Sequence, residues 1–151
     1  PRLMNIYIGA DHNGFELRTK LISYLQQSGY TVHDDGNEKL DPADDYPVFA
    51  ARVVRDMQSS NDETARGILI CGSGQGIMIA ANRYKGVRAC LGYNVESVRA
   101  ARNDDDCNVL ALPANVVQGE EVNVIVEAFL NTPFEANERY TRRIKEMDEQ
   151  N

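Results

Sequence analysis

Cys71-Gly72-Ser73-Gly74-Gln75-Gly76 joins an apolar run to a helical pattern, and no other segment is better suited to chemistry. Three glycines at alternate positions let consecutive backbone N–H groups converge at a helix start, where an anion or a developing oxyanion is stabilised. The loop lacks the G-x-G-x-x-G spacing of a dinucleotide fingerprint and the Lys-Ser or Lys-Thr of a nucleotide P-loop. Cys71 at its mouth lies near those donors, which favour a thiolate and suit a base or nucleophile. Two plainer readings stand beside these: a tight turn that lets strand and helix pack, and a small side chain buried at a strand end. Cys90 and Cys107 fall within or at the start of strands and read as buried thiols.

Other reactive groups are spread along the chain. Asp11-His12 ends an apolar run and precedes Asn13-Gly14, so His12 is expected at an exposed crevice, whereas His33 lies inside a strand and reads as structural. Tyr46 closes an acidic stretch that includes Asp44 and Asp45, and is either a substrate contact or an ordinary loop aromatic. Asp104-Asp105-Asp106 precede the last apolar run. Arg139 and Arg143 share one helix face at i and i+4, making a clamp for a phosphate or carboxylate, or else part of a solvated charged face.

The elements that must position these groups alternate regularly. Strands are expected over 4–10, 30–34, 67–71, 87–91 and 107–112, each followed by a helical pattern: 15–25, a helix opened by Pro47, 77–84, 95–102 and 119–130. The helix after Pro47 is expected to bury Val48, Ala51, Val54 and Met57. A charged helix over 134–149 ends the chain and lacks a broad apolar face, so it is expected to lean on a partner subunit or carry function. Continuous apolar strands joined by helices predict one doubly wound α/β/α domain with a five-stranded parallel sheet and an extra C-terminal helix. Ligands then belong beyond the carboxyl ends of the strands. Asp11, His12, Tyr46 and the Cys71 loop collect there. Asp104, Asp105 and Asp106 enter their strand from the opposite edge and would reach the site only across a subunit interface.

Composition bounds the rest. The chain has 151 residues, 42% apolar and 26% charged, an ordinary globular mixture large enough to fold without staples. A formal charge of −7 disfavours a general binder of nucleic acid or anionic membranes. No apolar stretch approaches a membrane span, and no signal-peptide pattern is present. Three cysteines, without a CxxC pair or a histidine cluster, argue against a structural zinc and for a reducing, cytoplasmic setting. Pro1-Arg2-Leu3, ahead of Met4, read equally well as an added leader or as native chain and take no part in the fold argument.

Gly-Ala-Asp-His-Asn-Gly-Phe at 9–15, Asp-Tyr-Pro at 45–47, Gly-Ile-Leu-Ile-Cys-Gly-Ser-Gly-Gln-Gly-Ile at 67–77, Ala-Ala-Asn-Arg at 80–83, Gly-Val-Arg-Ala at 86–89 and Asn-Val-Leu-Ala-Leu at 108–112 recur in one order. Together they closely resemble the B-type ribose-5-phosphate isomerases, the family that includes the galactose-6-phosphate isomerase subunits. The match runs from Met4 to about Ile144. The resemblance implies an aldose–ketose isomerase that interconverts ribose 5-phosphate and ribulose 5-phosphate through a cis-enediolate, with no metal or organic cofactor. It implies a homodimer, or a tetramer built from it, with shared sites. By the same resemblance Cys71 is the base, Ser73 assists at the sugar oxygens, and the amides of Gly72, Ser73, Gly74, Gln75 and Gly76 form the anion hole. Asp11, His12, Tyr46, Asn82 and Asp105 would contact substrate, with His12, Arg139 and Arg143 on the phosphate.

Three positions depart from that pattern. Asp104 stands where many relatives have the histidine that opens the furanose ring, and is expected to orient sugar hydroxyls. Asn115 stands where many carry a further phosphate-binding arginine, and Tyr140 where a histidine is frequent. These departures leave open an isomerase of a tetrose or hexose phosphate. A non-catalytic sugar-phosphate-binding protein is also conceivable, although binding alone would not need a thiol at position 71.

Overall fold

A parallel sheet covered on both faces requires strands that are apolar along nearly their whole length, and three strands here are of that kind, buried at every position but the polar first residue of two of them. The computed structural model describes residues 4–150, so Pro1-Arg2-Leu3 lie outside the described residues. The strands are β1 (Asn5–Ala10), β2 (Thr31–Asp34), β3 (Arg66–Cys71), β4 (Ala89–Leu91) and β5 (Val109–Pro113). The helices are α1 (Phe15–Gln27), α2 (Tyr46–Ser59), α3 (Gln75–Asn82), α4 (Val95–Asp105), α5 (Glu120–Asn131) and α6 (Glu138–Glu149). All pairings are parallel, in the order β2-β1-β3-β5-β4. The expected α/β architecture, with its additional C-terminal helix, is the one observed.

Alternate strand residues face opposite layers. Ile6, Ile8, Ile68, Ile70, Leu110 and Leu112 pack with Leu21 and Leu25 of α1 and Ile125 and Phe129 of α5. Tyr7, Leu69, Cys71, Val109 and Ala111 face the other way, onto Phe49, Val53 and Met57 of α2 and Ile77 and Ala81 of α3. The chain runs from β1 out to β2, then returns past β1 to β3. The strand order therefore reverses between β1 and β3, and there the carboxyl ends open a crevice.

Three expectations need correction. The buried face of α2 is Phe49, Ala50, Val53, Val54 and Met57, whereas Val48 is 47% exposed and Ala51 half-buried. Pro47 occupies the first turn, and the stripe is phased from Phe49 onward. Helix α4 continues through Asp105, so Asp104 and Asp105 lie on its last turn and not in a loop. Asp106 ends that helix in the left-handed region at φ 49°, accepting from Arg102 Nη1 at 2.8 Å. Strand β4 begins at Ala89 rather than Val87. No helix of the described residues is long and apolar enough to cross a membrane.

One buried carboxyl makes stability depend on pH. Asp35, just past β2, is half-buried, faces the carboxyl of Asp56, and leaves its Oδ2 without a hydrogen-bond partner. Burial first, then Asp56 and Asp34, push it up to about 8 against the pull of Arg52. The folded chain therefore holds a proton that the unfolded chain releases at the ordinary carboxylate value, and this contribution to stability is lost as pH rises from about 4 through about 8. Asp35→Asn removes the dependence. In thermal unfolding it should raise Tm by ~2–4 °C at pH 8, about 1 kcal/mol, with a smaller change at pH 5.

Candidate active site

The crevice is built from two strand ends. At the end of β1, Asp11 is 5% exposed; its N–H donates to the Ile70 carbonyl at 3.1 Å, and its carboxylate accepts from the Asn13 N–H at 3.0 Å. That cap turns the chain through a short 3-10 segment, His12–Gly14, into α1. Burial raises Asp11 above the usual carboxylate range, opposed by the Asn13 N–H and by His12. His12 is half-buried and doubly bound to Asp44, its backbone N–H reaching Oδ1 at 2.8 Å and its ring Nδ1 the same oxygen at 2.9 Å. The hydrogen bond to Asp44 is the main reason that His12 titrates above an ordinary histidine.

At the end of β3, Cys71 is 5% exposed and its carbonyl accepts from the Ala114 N–H at 2.9 Å. The Gly72 carbonyl accepts from the Asn115 N–H at 3.0 Å. Ser73 is exposed, and its hydroxyl accepts from the Gln75 N–H at 3.2 Å. Each loop glycine has a local steric reason. Gly74 has φ +74°, and a Cβ at Gly72 would lie 2.8 Å from Asn115 Nδ2. A Cβ at Gly76 would lie 2.7 Å from the Tyr46 ring. Packing thus accounts for the glycines by itself, so they do not on their own require an anion. The residue that caps α3, Gly74, nevertheless has no side chain to offer, and apart from the Gln75 N–H on Ser73 the first-turn amides are left available as donors.

Asp11, His12, Tyr46, Cys71 and the Gly72–Gly76 loop are therefore brought to one edge of the sheet. Asn82 is not among them: it ends α3, opposite the glycine loop, and its amide is spent on β4. Its Oδ1 accepts from the Ala89 N–H at 2.8 Å and its Nδ2 donates to the Ala89 carbonyl at 3.1 Å. Asn82 is a clamp on an edge strand, and both ends of its amide are engaged there. Asp104 and Asp105 stand at the amino edge of the sheet, where α4 leads into β5. Burial and Asp104 raise Asp105, while Arg143 pulls it down. Arg139 and Arg143 are exposed on α6, which packs on α4 and buries none of its residues. Among the described residues Arg142 pairs with Glu138 and Lys145 with Glu149, but neither Arg139 nor Arg143 makes an ion pair.

The residues that sequence reasoning missed are those that hold the site. Asn37 Nδ2 donates to the second Asp44 oxygen at 3.1 Å, and buried Arg18 donates to the Asn37 carbonyl at 2.5 Å. No periodicity marks either contact. The only hint was that Asp44 adjoins the Asp-Tyr-Pro segment. A cleft of about 630 Å³ runs along α1 and α5 past Leu17, Tyr24 and Val122 and borders the site at Asn13 and Ala114. The chemistry lies elsewhere: a thiol at the strand end that leads into the amino end of α3, on the same sheet edge as a carboxyl and an imidazole, is suited to moving a proton on carbon next to a carbonyl while fixing an anion.

The fold and this crevice are those of a known class. Residues 6–147 match the family described as Ribose/Galactose Isomerase, and the chain belongs to that family. It is 42% identical over 139 residues to a probable ribose-5-phosphate isomerase B of Mycoplasma pneumoniae, covering 92% of this chain and 90% of that one. The structure of a ribose 5-phosphate isomerase from Thermotoga maritima is 41% identical with a TM-score of 0.90, covering 97% and 98% of the two chains. The ribose-5-phosphate isomerase B of Mycoplasma genitalium, solved with bound ribulose 5-phosphate, has a TM-score of 0.93 at 36% identity, covering 99% and 97%.

The clamping role of Asn82 has a direct test. Asn82→Ala leaves the Ala89 backbone unpaired and should lower Tm by a few degrees, the loss of ~1–2 kcal/mol of hydrogen bonding. Calorimetric binding of a sugar phosphate should be unchanged; a large loss of affinity would return Asn82 to the site.

Proposed function

We propose that this chain interconverts ribose 5-phosphate and ribulose 5-phosphate by proton transfer between C2 and C1. The observation that carries the reading is the placing of Cys71 at the end of β3, just before the amino end of α3, with the Asp11–His12 turn hydrogen-bonded to that same strand end through Ile70. The named activities of the relatives, and the ribulose 5-phosphate bound in one of them, support it.

In this mechanism Cys71 removes the C2 proton of the open-chain aldose. The C–H electron pair forms the C1–C2 double bond, and the carbonyl pair moves to O1 as an enediolate oxygen. The amides of residues 72–76 receive that charge; Ser73 carries a proton between O1 and O2; and the thiol returns its proton to C1. Substrate carbon is oxidised at C2 and reduced at C1, so no external redox partner enters. Tyr46, over Gly76, borders the loop, and His12 with Arg139 and Arg143 takes the phosphate.

Asp104, Asp105, Arg139 and Arg143 belong to the α4–α6 side of a single chain, away from the glycine loop. We therefore read the active form as a homodimer in which α6 of each copy completes the other's site, a unit from which a tetramer can be built. The free thiols Cys71, Cys90 and Cys107 suit a reducing cytoplasm. Asp104 orients sugar hydroxyls in place of a ring-opening histidine. Asn115, packed against Gly72, offers an amide where an arginine would add charge, and this favours a tetrose or hexose phosphate as the second substrate reading.

Cys71→Ala should lower kcat by several orders of magnitude with KM nearly constant, because the lost interaction belongs to the transition state. Solvent exchange of the C2 proton at the wild-type rate would remove Cys71 from the base role. Arg143→Ala should raise KM about tenfold or more through loss of a charge-assisted phosphate contact. Mixing Cys71→Ala with Arg143→Ala below KM should restore about a quarter of wild-type activity if hybrid dimers carry one intact site. No recovery after exchange of subunits would exclude shared sites.

A further inference from the structure

The β2–α2 connection contains no regular structure between Asp34 and Tyr46, yet it is tied down at three levels that end on His12. Arg18, only 3% exposed on α1, reaches Asp34 Oδ1 with Nε at 3.3 Å and the Asn37 carbonyl with Nη2 at 2.5 Å. A Cβ at Gly36 would overlap its guanidinium, so the loop closes over the arginine only with glycine there. Asn37 Nδ2 then donates to Asp44 Oδ2 at 3.1 Å, and Asp44 Oδ1 takes both the backbone N–H and the ring Nδ1 of His12.

The donor chemistry defines the state of the pair. Each Asp44 oxygen accepts from a group that can only donate, an amide NH2 on one side and a backbone N–H on the other. Asp44 therefore acts as an acceptor through both oxygens, and the His12 Nδ1 must carry the proton. Two bonds from one residue to one oxygen also fix the ring's direction, leaving Nε2 as the edge that turns away from Asp44.

We infer that Asp44 is a positioning residue, which holds His12 in one orientation and in its cationic form for the phosphate of the substrate, and that Arg18 and Asn37 hold Asp44 for that task. The inference rests on the isomerase reading, in which His12 meets the phosphate. The elements packed on the His12 turn bring few other charges: Cys71 from β3, Glu16 and Arg18 from α1, with Asp11 on the turn itself. Asp44 and Asp11 both favour the imidazolium. A His12 cation so stabilised is present below the ordinary histidine value and is lost only as pH rises through the raised one, so phosphate affinity should fall at a higher pH than a free histidine would give.

The test follows the His12 ring by NMR in the full-length protein, with kinetics on ribose 5-phosphate. Wild-type His12 should titrate above a free histidine. Asp44→Asn, which keeps the shape and an acceptor but removes the charge, should bring the titration down and raise KM about tenfold at a pH between the wild-type and variant His12 titrations, with a smaller rise at a pH below both. Asp44→Glu should restore part of both, and Asn37→Ala should produce a weaker form of the Asp44→Asn effect. A wild-type His12 that titrates at or below the free value overturns the inference without any variant having to fold. So does a His12 titration indifferent to Asp44→Asn, or a KM change equal at both pH values, which would mark a purely structural role. Failure of the isomerase reading shows separately, as a wild type that does not convert ribose 5-phosphate, while the NMR titration still decides whether Asp44 controls His12.

Discussion

Gly14 rests on Ile70 so closely that a β-carbon there would lie 2.5 Å from Cγ2 and 2.7 Å from Cβ of that side chain. Ile70 is fully buried one residue before Cys71, and its carbonyl takes the Asp11 N–H. The turn leaving β1 is thereby laid against the end of β3. This seam lies where the strand order reverses, so α1 departs over one face and α3 over the other, and neither covers the gap between them. Two turns of different chemistry then meet. One carries a carboxyl and an imidazole; the other carries a thiol and unfilled amide donors. Backbone contact sets their separation, which suits a reaction whose groups must be held to a fraction of an ångström.

The acidic composition acquires a local meaning around that seam. Read as a net charge, it only disfavours polyanionic partners. In the fold, two of these acids are each placed against a basic side chain, the exposed Asp34 on Arg18 and the more enclosed Asp44 on His12. An exposed pair of this kind contributes little. Arg18 is buried, however, with Nε and Nη1 lacking full hydrogen bonding, so removing Asp34 or the Asn37 carbonyl would leave a desolvated charge in place. The loop over Arg18 is thus held by the cost of exposing what lies beneath it, which is how an irregular segment can orient a site residue.

Much of this was legible in the sequence, for a physical reason. Ile68-Leu69-Ile70 and Leu110-Ala111-Leu112 are apolar at every position, and only a strand buried on both faces tolerates that. Given parallel strands, the rule of the carboxyl edge is enough to bring Asp11, His12, Tyr46 and Cys71 to one edge of the sheet. What failed depended on distances between segments. Val48 follows Pro47 and looks like the start of an apolar stripe, but Phe49 supplies the anchor, because the angle at which α2 meets the sheet is set by Gly9 and Gly67 beneath it. Asn82 sits in a family-like Ala-Ala-Asn-Arg segment, yet its partner Ala89 is across a turn. Asp104-Asp105-Asp106 looked like a loop because acids near a helix end are unfavourable to the macrodipole. Arg102 and Arg88 offset that by binding Asp106. The Asn37–Asp44–His12 chain joins positions with no shared periodicity, so no pattern could reveal it.

Helix α6 carries the remaining argument. Tyr140, Ile144 and Met147 follow one another at i, i+4 and i+7 and so line one stripe, while Arg139 and Arg143 form the adjacent row about 100° around the helix. In one chain the stripe is poorly covered, with Met147 44% exposed. Arg142 and Lys145, elsewhere on the helix, are neutralised by their own neighbours. Arg139 and Arg143, beside the apolar stripe, make no such pair within the helix, although Arg143 acts on Asp105 of α4. If the stripe docks on a second copy, as the proposed dimer requires, those two guanidinium groups flank the contact and lose part of their water. A doubly charged phosphate is then the partner that compensates them. Packing and charge on α6 are therefore both consistent with the proposed arrangement, in which apolar residues hold the helix to a second copy and the arginines next to them meet the phosphate.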